Sequence, residues 1–535
     1  MILPEYLARV ARSSPRKEML IQGNRRISYG QLYEGAERFA AFLLAEGFRP
    51  GERATILLEN SPEYVLCYFA VMKAGGVVVP LSDQTMARGI RTVVNDCTPT
   101  TLITQDKHLE TVSKTLKDLP SVRRTVIVSL GDIEGDRGDE LRSGHEIPGI
   151  RFHALSGILR ASGSWERFPD VDITDLALIL YTSGTTGSPK GVMLTHGNLS
   201  ANAESIVSYL HLTADDRGMA ILPFYYSYGN SLLTTHVAAG GSLVLHNSFV
   251  FPNVILNKMI QEEATGFSGV PSTFAILLNR SNIRKLSFPR LRYVTQAGGA
   301  MSPAHALELT RVLPNAEIFI MYGQTEASAR LSFLEPRDLV RKAGSIGKAI
   351  PGVVLTVRTK EGAEASCGDT GEIVASGGNI MAGYWNQPEE TAKVLRKDGL
   401  HTGDLARTDE EGFLYIVGRK SEMIKSGAHR ISPKEIEEVL LEIPKVHEVV
   451  VAGVEDEILG ETIAAFIVPM EGSEPTEDEV LAHCRKNLPP YKVPKRVTFL
   501  AELPKTESGK VRRHELSRGQ VPFVFRPKES REASR

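Results

Sequence analysis

Residues 180–192 read Leu-Tyr-Thr-Ser-Gly-Thr-Thr-Gly-Ser-Pro-Lys-Gly-Val. Thr182, Ser183, Gly184, Thr185, Thr186 and Gly187 form a run of hydroxyl-bearing and glycine residues, followed by a single cation, Lys190. Glycines let successive backbone N–H groups turn toward one point, and the hydroxyls add donors, so the segment suits phosphate oxygens. Lys190 supplies positive charge. No G-x-x-x-x-G-K-[ST] spacing can be laid over the segment, which excludes a Walker loop. Taken alone, it reads equally well as a surface turn. The apolar run 176–180 before it reads as a buried strand.

Other chemistry-bearing groups follow predicted strands, where ligand sites of open α/β sheets lie. Gln296, Ala297, Gly298, Gly299 and Ala300 succeed the run 291–295. Such small residues make a tight turn, or let backbone lie against a flat ligand. Met321, Tyr322, Gly323, Gln324, Thr325 and Glu326 follow the run 318–320. Glu326 is a solvated helix-start residue or, beside a triphosphate, a carboxylate that needs a hard cation between them. His401-Thr402-Gly403-Asp404-Leu405 supplies a carboxylate able to take two hydrogen bonds from a ribose diol, although aspartate is also common in turns. Arg419 lies soon after. Near the end, Leu503-Pro504-Lys505-Thr506-Glu507-Ser508-Gly509-Lys510-Val511 carries Lys510, a point cation on a long stem.

In this order the segments resemble the landmarks Y-T-S-G-T-T-G-x-P-K-G, Y-G-x-T-E, T-G-D and P-K-T-x-x-G-K of the AMP-forming adenylating superfamily: acyl-CoA synthetases, peptide-synthetase adenylation domains and beetle luciferases. The resemblance runs from about residue 26 to residue 516. It implies a phosphate loop of Thr182 to Gly187 with Lys190, and an adenine and acyl site at Gly298, Gly299 and Ala300. It also implies Tyr322 stacked on adenine beside Gly323 and Gln324, Thr325 on the α-phosphate, Glu326 holding Mg2+, Asp404 on the ribose and Arg419 near ribose and hinge. Lys510 matches the catalytic lysine, with Thr185 and Glu326 beside it in the catalytic set. The implied reaction has two steps. A carboxylate attacks the α-phosphorus of ATP, giving acyl-AMP and pyrophosphate; the thiol of coenzyme A then displaces AMP. A small C-terminal domain is expected to swing between the steps and withdraw Lys510.

Lys425, Ser426, Gly427, Ala428 and Arg430 resemble the family's segment at the pantetheine tunnel. Two departures stand out: Ala428 replaces the usual second glycine, and Ser421 occupies the hinge position commonly Asp or Lys. The first bears on the thiol acceptor, the second on the hinge. An acyl carrier protein therefore stays open as an alternative acceptor to coenzyme A. Amino-acid-activating relatives carry Phe-Asp where this chain has Phe224-Tyr225, which disfavours an amino-acid substrate. Tyr225, Tyr226, Tyr228, Gly229, Gly298 and Met321 suggest an apolar or aromatic acyl pocket, although such aromatics also serve as core packing. A medium-chain fatty acid and an aryl acid fit equally. A nucleotide-binding regulator that has lost catalysis is the contrasting class; the presence of Lys510, Glu326 and Asp404 speaks against it.

The elements that must hold these residues alternate. A helix is predicted from Ser28 onward, a strand over 53–58, a helix over 63–73 stopped by Gly75 and Gly76, and a strand over 77–81. Strand–helix–strand alternation implies parallel-rich sheets. With 535 residues more than one domain is expected. We assign 1–418 to a large N-terminal ATP- and acyl-binding domain and 419–535 to a small mobile C-terminal α/β domain carrying the catalytic lysine. Residues 105–170 are more polar and read as variable surface. Composition is ordinary for a soluble protein, with 42% hydrophobic and 24% charged residues. A net charge of −2 gives no field directed at nucleic acid. Cys67, Cys97, Cys367 and Cys484 are widely spaced and read as buried free thiols. No run approaches the roughly 18 apolar residues of a membrane span, and no signal-peptide pattern appears, so the expected location is cytoplasmic.

Overall fold

The computed structural model describes residues 1–134, 147–161, 167–182, 189–420, 422–426, 429–456, 460–505 and 511–518. The chain forms two compact units, Met1–Leu355 with Ala375–Leu400, and Thr356–Val374 with His401–Arg535.

The first unit is built on two large sheets. In one, the strand order is Gly383–Tyr384, Lys190–Thr195, Leu176–Thr182, Val77–Leu81, Arg53–Leu57, Thr101–Gln105, Arg124–Val128, Arg151–Ala154. From Leu176–Thr182 onward the pairs are parallel. Val77–Leu81, Val-Val-Val-Pro-Leu, is buried at every position, as a central parallel strand covered on both faces requires. The other sheet runs Lys348–Ala349, Ser332–Leu334, Glu317–Tyr322, Tyr293–Gln296, Gly266–Gly269, Arg217–Ala220, Ser242–Leu245, Glu18–Gln22, Arg25–Ser28. Its five pairs between Glu317–Tyr322 and Glu18–Gln22 are parallel.

Helix Tyr29–Ala45 starts where the sequence places it, because Ser28 and Gln31 form a reciprocal capping box. Helix Pro62–Lys73 is capped by the Ser61 hydroxyl and is buried on nearly all sides. Two expectations change. Residues 105–170 contain helix Leu109–Leu116 and two strands of the parallel sheet, Arg124–Val128 and Arg151–Ala154; the run Thr-Val-Ile-Val at 125–128 was too brief to stand out. Cys67, Cys97 and Cys484 are buried free thiols as expected, but Cys367 is exposed.

In the second unit, strands His429–Ile431, Ile424–Ser426, Gly460–Pro469 and Val446–Asp456 lie in that order, with Arg496–Phe499 parallel to Gly460–Pro469. Alternation along Gly460–Pro469 feeds two cores. Ile463, Ala465 and Ile467 pack with Ile436, Leu440 and Val480 of helices Pro433–Leu440 and Glu477–Asn487, while Ala464, Phe466 and Val468 join Leu500 and Leu516. In a further five-stranded sheet, Gly399–Thr408 pairs antiparallel with Leu414–Arg419.

Acid sensitivity follows from buried histidines of the first unit. His196, at the start of helix His196–Tyr209, is 1% exposed, and burial holds its pKa down to about 4 against an opposing pull from Asp175. Burial also lowers His236, whose Nε2 lies 3.1 Å from the Tyr293 hydroxyl. Unfolded histidines titrate near 6.5, so below that pH the unfolded chain binds more protons. Stability should be full above about pH 6.5 and fall as pH drops toward 4, by up to about 3 kcal/mol for His196. Urea unfolding between pH 7 and 4.5 measures this, and His196→Gln should flatten the curve. An identical pH slope in that variant contradicts the assignment.

Candidate active site

Strands Gly266–Gly269, Tyr293–Gln296 and Glu317–Tyr322 are neighbours and parallel, so their carboxyl ends open on one side. The two loops that follow the last two, 297–300 and 323–326, therefore lie side by side. A third segment, 224–229, leads into helix Ser227–Ala239. Side chains tie the three together. The Tyr228 hydroxyl donates to the Thr295 carbonyl at 2.9 Å, and the Thr325 hydroxyl donates to Ser227 Oγ at 3.3 Å. Gln296 Nε2 donates to the Gly299 carbonyl at 2.9 Å and braces the loop from beneath.

Gly298, Gly299 and Ala300 are exposed, whereas Tyr322, Gly323, Gln324, Thr325 and Glu326 are half-buried. Gly323 has a steric reason to be glycine: a Cβ would lie 2.1 Å from the Ala329 carbonyl oxygen. At Gly229 the same atom would lie 2.0 Å from the Pro223 carbonyl oxygen, so this residue lets the helix start pass its own entry segment. Tyr225 and Tyr226 are half-buried, with ring centroids 4.5 Å apart. Tyr228 and Met321 are buried and belong to the wall behind them.

Residues 183–189 connect an antiparallel pair, Leu176–Thr182 and Lys190–Thr195, whose register sets Thr182 opposite Lys190. The strand after the loop was not expected from sequence; its residues, Lys-Gly-Val-Met-Leu-Thr, give too short a run. Ser183, Gly184, Thr185, Thr186 and Gly187 lie outside the described residues. Lys190 Nζ pairs with Glu390 Oε2 at 2.7 Å and sits 5.1 Å from the centre of the Tyr384 ring. Hydrogen bonds from Lys190 and then Lys393 hold the Glu390 carboxyl low, to about 2.

The Tyr384 hydroxyl donates to Glu326 Oε1 at 2.8 Å. Tyr384 reaches it because strand Gly383–Tyr384 adds to Lys190–Thr195, with Tyr384 opposite Val192. The Glu326 carbonyl also accepts from the Met381 N–H at 2.9 Å. Lys190, Tyr384 and Glu326 thus form one contiguous group, although they are far apart in sequence. Neither Tyr384 nor Glu390 was singled out from sequence; strand register brings Tyr384 to Glu326, and helix Pro388–Val394 presents Glu390 to Lys190. Among the described residues no cluster of three His, Cys, Asp or Glu is arranged to enclose a metal. A single carboxylate such as Glu326 fits Mg2+ well when phosphate oxygens and water complete its shell.

In the second unit, antiparallel register sets Asp404 opposite Arg419. Asp404 is 4% exposed, and Arg419 Nε donates to its Oδ1 at 2.9 Å. Glu372 closes the turn beside them by accepting from the Gly403 N–H at 3.1 Å. Burial pushes the Glu372 carboxyl up, but His401 and Lys420 outweigh it and hold the group below its ordinary range. Lys425 and Arg430 are opposite each other in the pair Ile424–Ser426 and His429–Ile431, with Ser426 facing His429 in register. Gly427, Ala428, Ser421 and Lys510 lie outside the described residues.

Sequence comparison fits this geometry. Residues 7–385 match the family described as AMP-binding enzyme, and residues 435–510 match the AMP-binding enzyme C-terminal domain. The chain belongs to the AMP-binding enzyme family. A feruloyl-CoA synthase of Amycolatopsis sp is 34% identical over 521 residues, covering 96% of this chain and 98% of that protein. A long-chain-fatty-acid–CoA ligase of Bacillus subtilis (strain 168) is 32% identical over 530 residues, covering 96% and 94%. Among solved structures, ATP-bound MatB from Rhodopseudomonas palustris superposes with a TM-score of 0.86 at 29% identity, covering 97% of this chain and 99% of that one.

For this AMP-binding enzyme, Tyr384→Phe should slow ATP–pyrophosphate exchange about threefold to tenfold, the scale of one ordinary hydrogen bond lost. The melting temperature should move little, since the ring and its packing remain. Exchange unchanged within error would mean that Tyr384 does not set the Glu326 carboxylate.

Proposed function

We propose that the chain activates a fatty or aryl carboxylic acid as its acyl adenylate and passes the acyl group to coenzyme A. The reaction class is that of an AMP-forming acyl-CoA synthetase. The observation that carries the site is the convergence of segments 224–229, 297–300 and 322–326 at the carboxyl ends of adjacent parallel strands, joined by Tyr228–Thr295 and Thr325–Ser227. The exposed 298–300 backbone offers a flat face for adenine and acyl chain, with Tyr322 stacking on the base. Thr325 lies at the loop's inner edge, where its hydroxyl can meet the α-phosphate. Glu326, steadied by Tyr384, is the residue that would hold Mg2+. The ion would supply positive charge to the departing pyrophosphate.

In the first step the acid's carboxylate oxygen bonds to the α-phosphorus and the bond to pyrophosphate breaks. Lys510 neutralises charge as this occurs. In the second step a thiolate sulfur attacks the acyl carbon, the bond from that carbon to the bridging oxygen breaks, and AMP leaves with that oxygen. Asp404 and Arg419, already paired, are assigned to the ribose and the neighbouring hinge. Residues 419–535 are proposed to move as the C-terminal domain, bringing the Lys425–Arg430 hairpin to the pantetheine arm. No described helix is long and apolar enough to cross a membrane, and a cytoplasmic setting is part of the proposal.

The test is ATP–pyrophosphate exchange with purified protein against fatty, aryl and amino acids, followed by thioester formation with coenzyme A. Exchange with a fatty or aryl acid and thioester with coenzyme A support the reading. Transfer only to an acyl carrier protein would replace the acceptor, and silence across the panel with ATP bound would favour the regulator.

A further inference from the structure

Arg330, four residues after Glu326, packs against Met321 and Tyr228. It is 2% exposed, yet no described ion pair includes it. Its partners are neutral and weak. Nε points at Met321 Sδ at 3.3 Å, one terminal nitrogen donates to the Ala329 carbonyl at 3.2 Å, and the other to Ser231 Oγ at 3.5 Å. The guanidinium carbon stands 4.2 Å from the centre of the Tyr228 ring. A thioether is a poor acceptor, and a guanidinium brings five N–H groups. Burying such a cation without an anion costs several kcal/mol, so chains seldom keep one without a counter-charge. The backbone leading to it is strained as well: Ser328 and Ala329 have φ of 55° and 111°, uncommon for residues with a side chain.

Beside the guanidinium is a small cavity of about 10 Å³, on the scale of one water molecule. Arg330, Ser231, Ser268, Thr295, Tyr293 and Met321 form part of its wall, and mainly apolar side chains complete it. Helix Ser227–Ala239 and strands Tyr293–Gln296 and Glu317–Tyr322, which adjoin the converging segments, each contribute to its wall. Ser231 is one helical turn beyond Ser227, Thr295 is the penultimate residue of the strand before Gly298, and Met321 precedes Tyr322. Ser268 Oγ and Thr295 Oγ1 are 2.7 Å apart and add hydroxyls to the wall. Met321, unbranched and flexible, is the side chain best able to give way to a longer ligand.

We propose that Arg330 receives a second carboxylate, at the far end of the acid being activated, so that the substrate is a dicarboxylic acid. This deepens the adenylation reading above and rests on it. One carboxylate stays at the loops to react; the other reaches past Tyr228 and Met321 to the guanidinium, whose planar fork matches a carboxylate bidentately. The missing counter-charge is then part of the ligand, and an acid ending in a methyl group leaves the cation uncompensated.

Isothermal titration calorimetry on the full chain, with AMP and magnesium chloride present, tests this with adipic, suberic and terephthalic acids and the monomethyl ester of each. At least one diacid should bind at least about tenfold more tightly than its half-ester, the scale of a charge-assisted hydrogen-bond pair. Arg330→Met should remove that preference while leaving half-ester affinity within about twofold. Arg330→Lys should keep part of it. Half-esters bound as well as diacids, no binding of either, or a preference that survives Arg330→Met would overturn the proposal. A purely structural arginine would lower the melting temperature without moving the ratio, and if Arg330→Met does not fold, the wild-type ratio and Arg330→Lys decide. Pyrophosphate exchange on the same acids separates the two readings. Diacid binding with no exchange defeats adenylation and leaves the Arg330 site, whereas exchange with half-esters at equal efficiency does the reverse.

Discussion

Lys510→Ala should cut acid-dependent ATP–pyrophosphate exchange by about a thousandfold, the scale on which removing a preorganised stabilising group at a reacting centre is felt. The lysine is the one cation in the Pro504–Lys510 segment placed where the resemblance puts the catalytic residue. Its positive charge is needed only while the carboxylate approaches an already anionic phosphate. Two readouts discriminate this from general damage. ATP binding, followed by calorimetry, should be nearly unchanged. Thioester formation from supplied acyl-adenylate and coenzyme A should also persist, because in the proposed cycle Lys510 has withdrawn by then. Loss of both half-reactions would assign Lys510 to folding or nucleotide binding, and normal exchange would remove it from the mechanism.

Much of this architecture was legible in the sequence, for physical reasons that differ by element. Val77–Leu81 was readable because a strand buried on both faces needs an unbroken apolar run. Helix Tyr29–Ala45 was readable because Ser28 and Gln31 satisfy its first N–H groups locally. Loop 323–326 was placed by motif order, and Gly323 then proved obligatory through its approach to the Ala329 carbonyl. What was not legible depended on register between distant segments. Tyr384 meets Glu326 only because a two-residue strand adds to Lys190–Thr195, and no local pattern encodes that pairing. Arg330 was equally silent. Four residues after Glu326 it reads as an ordinary polar position, and its burial emerges only from the packing of Tyr228, Ser231 and Met321 around it.

Glu326→Gln should lower the rate of adenylation by about two to three orders of magnitude, since the change removes a full charge while keeping shape. The amide oxygen can still accept from Tyr384, so the side chain keeps its position and the melting temperature should stay close to wild type. Only the electrostatics differ. A neutral amide is a weak ligand for a hard cation, and the phosphates would hold Mg2+ without the carboxylate that fixes its place. The defect should therefore appear mainly in kcat, and raising the magnesium concentration should recover only part of it. Glu326→Asp retains the charge one methylene short of its position and should fall between the two. The order wild type, Tyr384→Phe, Glu326→Asp, Glu326→Gln in exchange rate is the signature of a carboxylate acting through charge and placement together. If Glu326→Gln stays within about fivefold of wild type, a loss near the 1 kcal/mol of an ordinary hydrogen bond, the residue is a loop brace and the cation has other ligands.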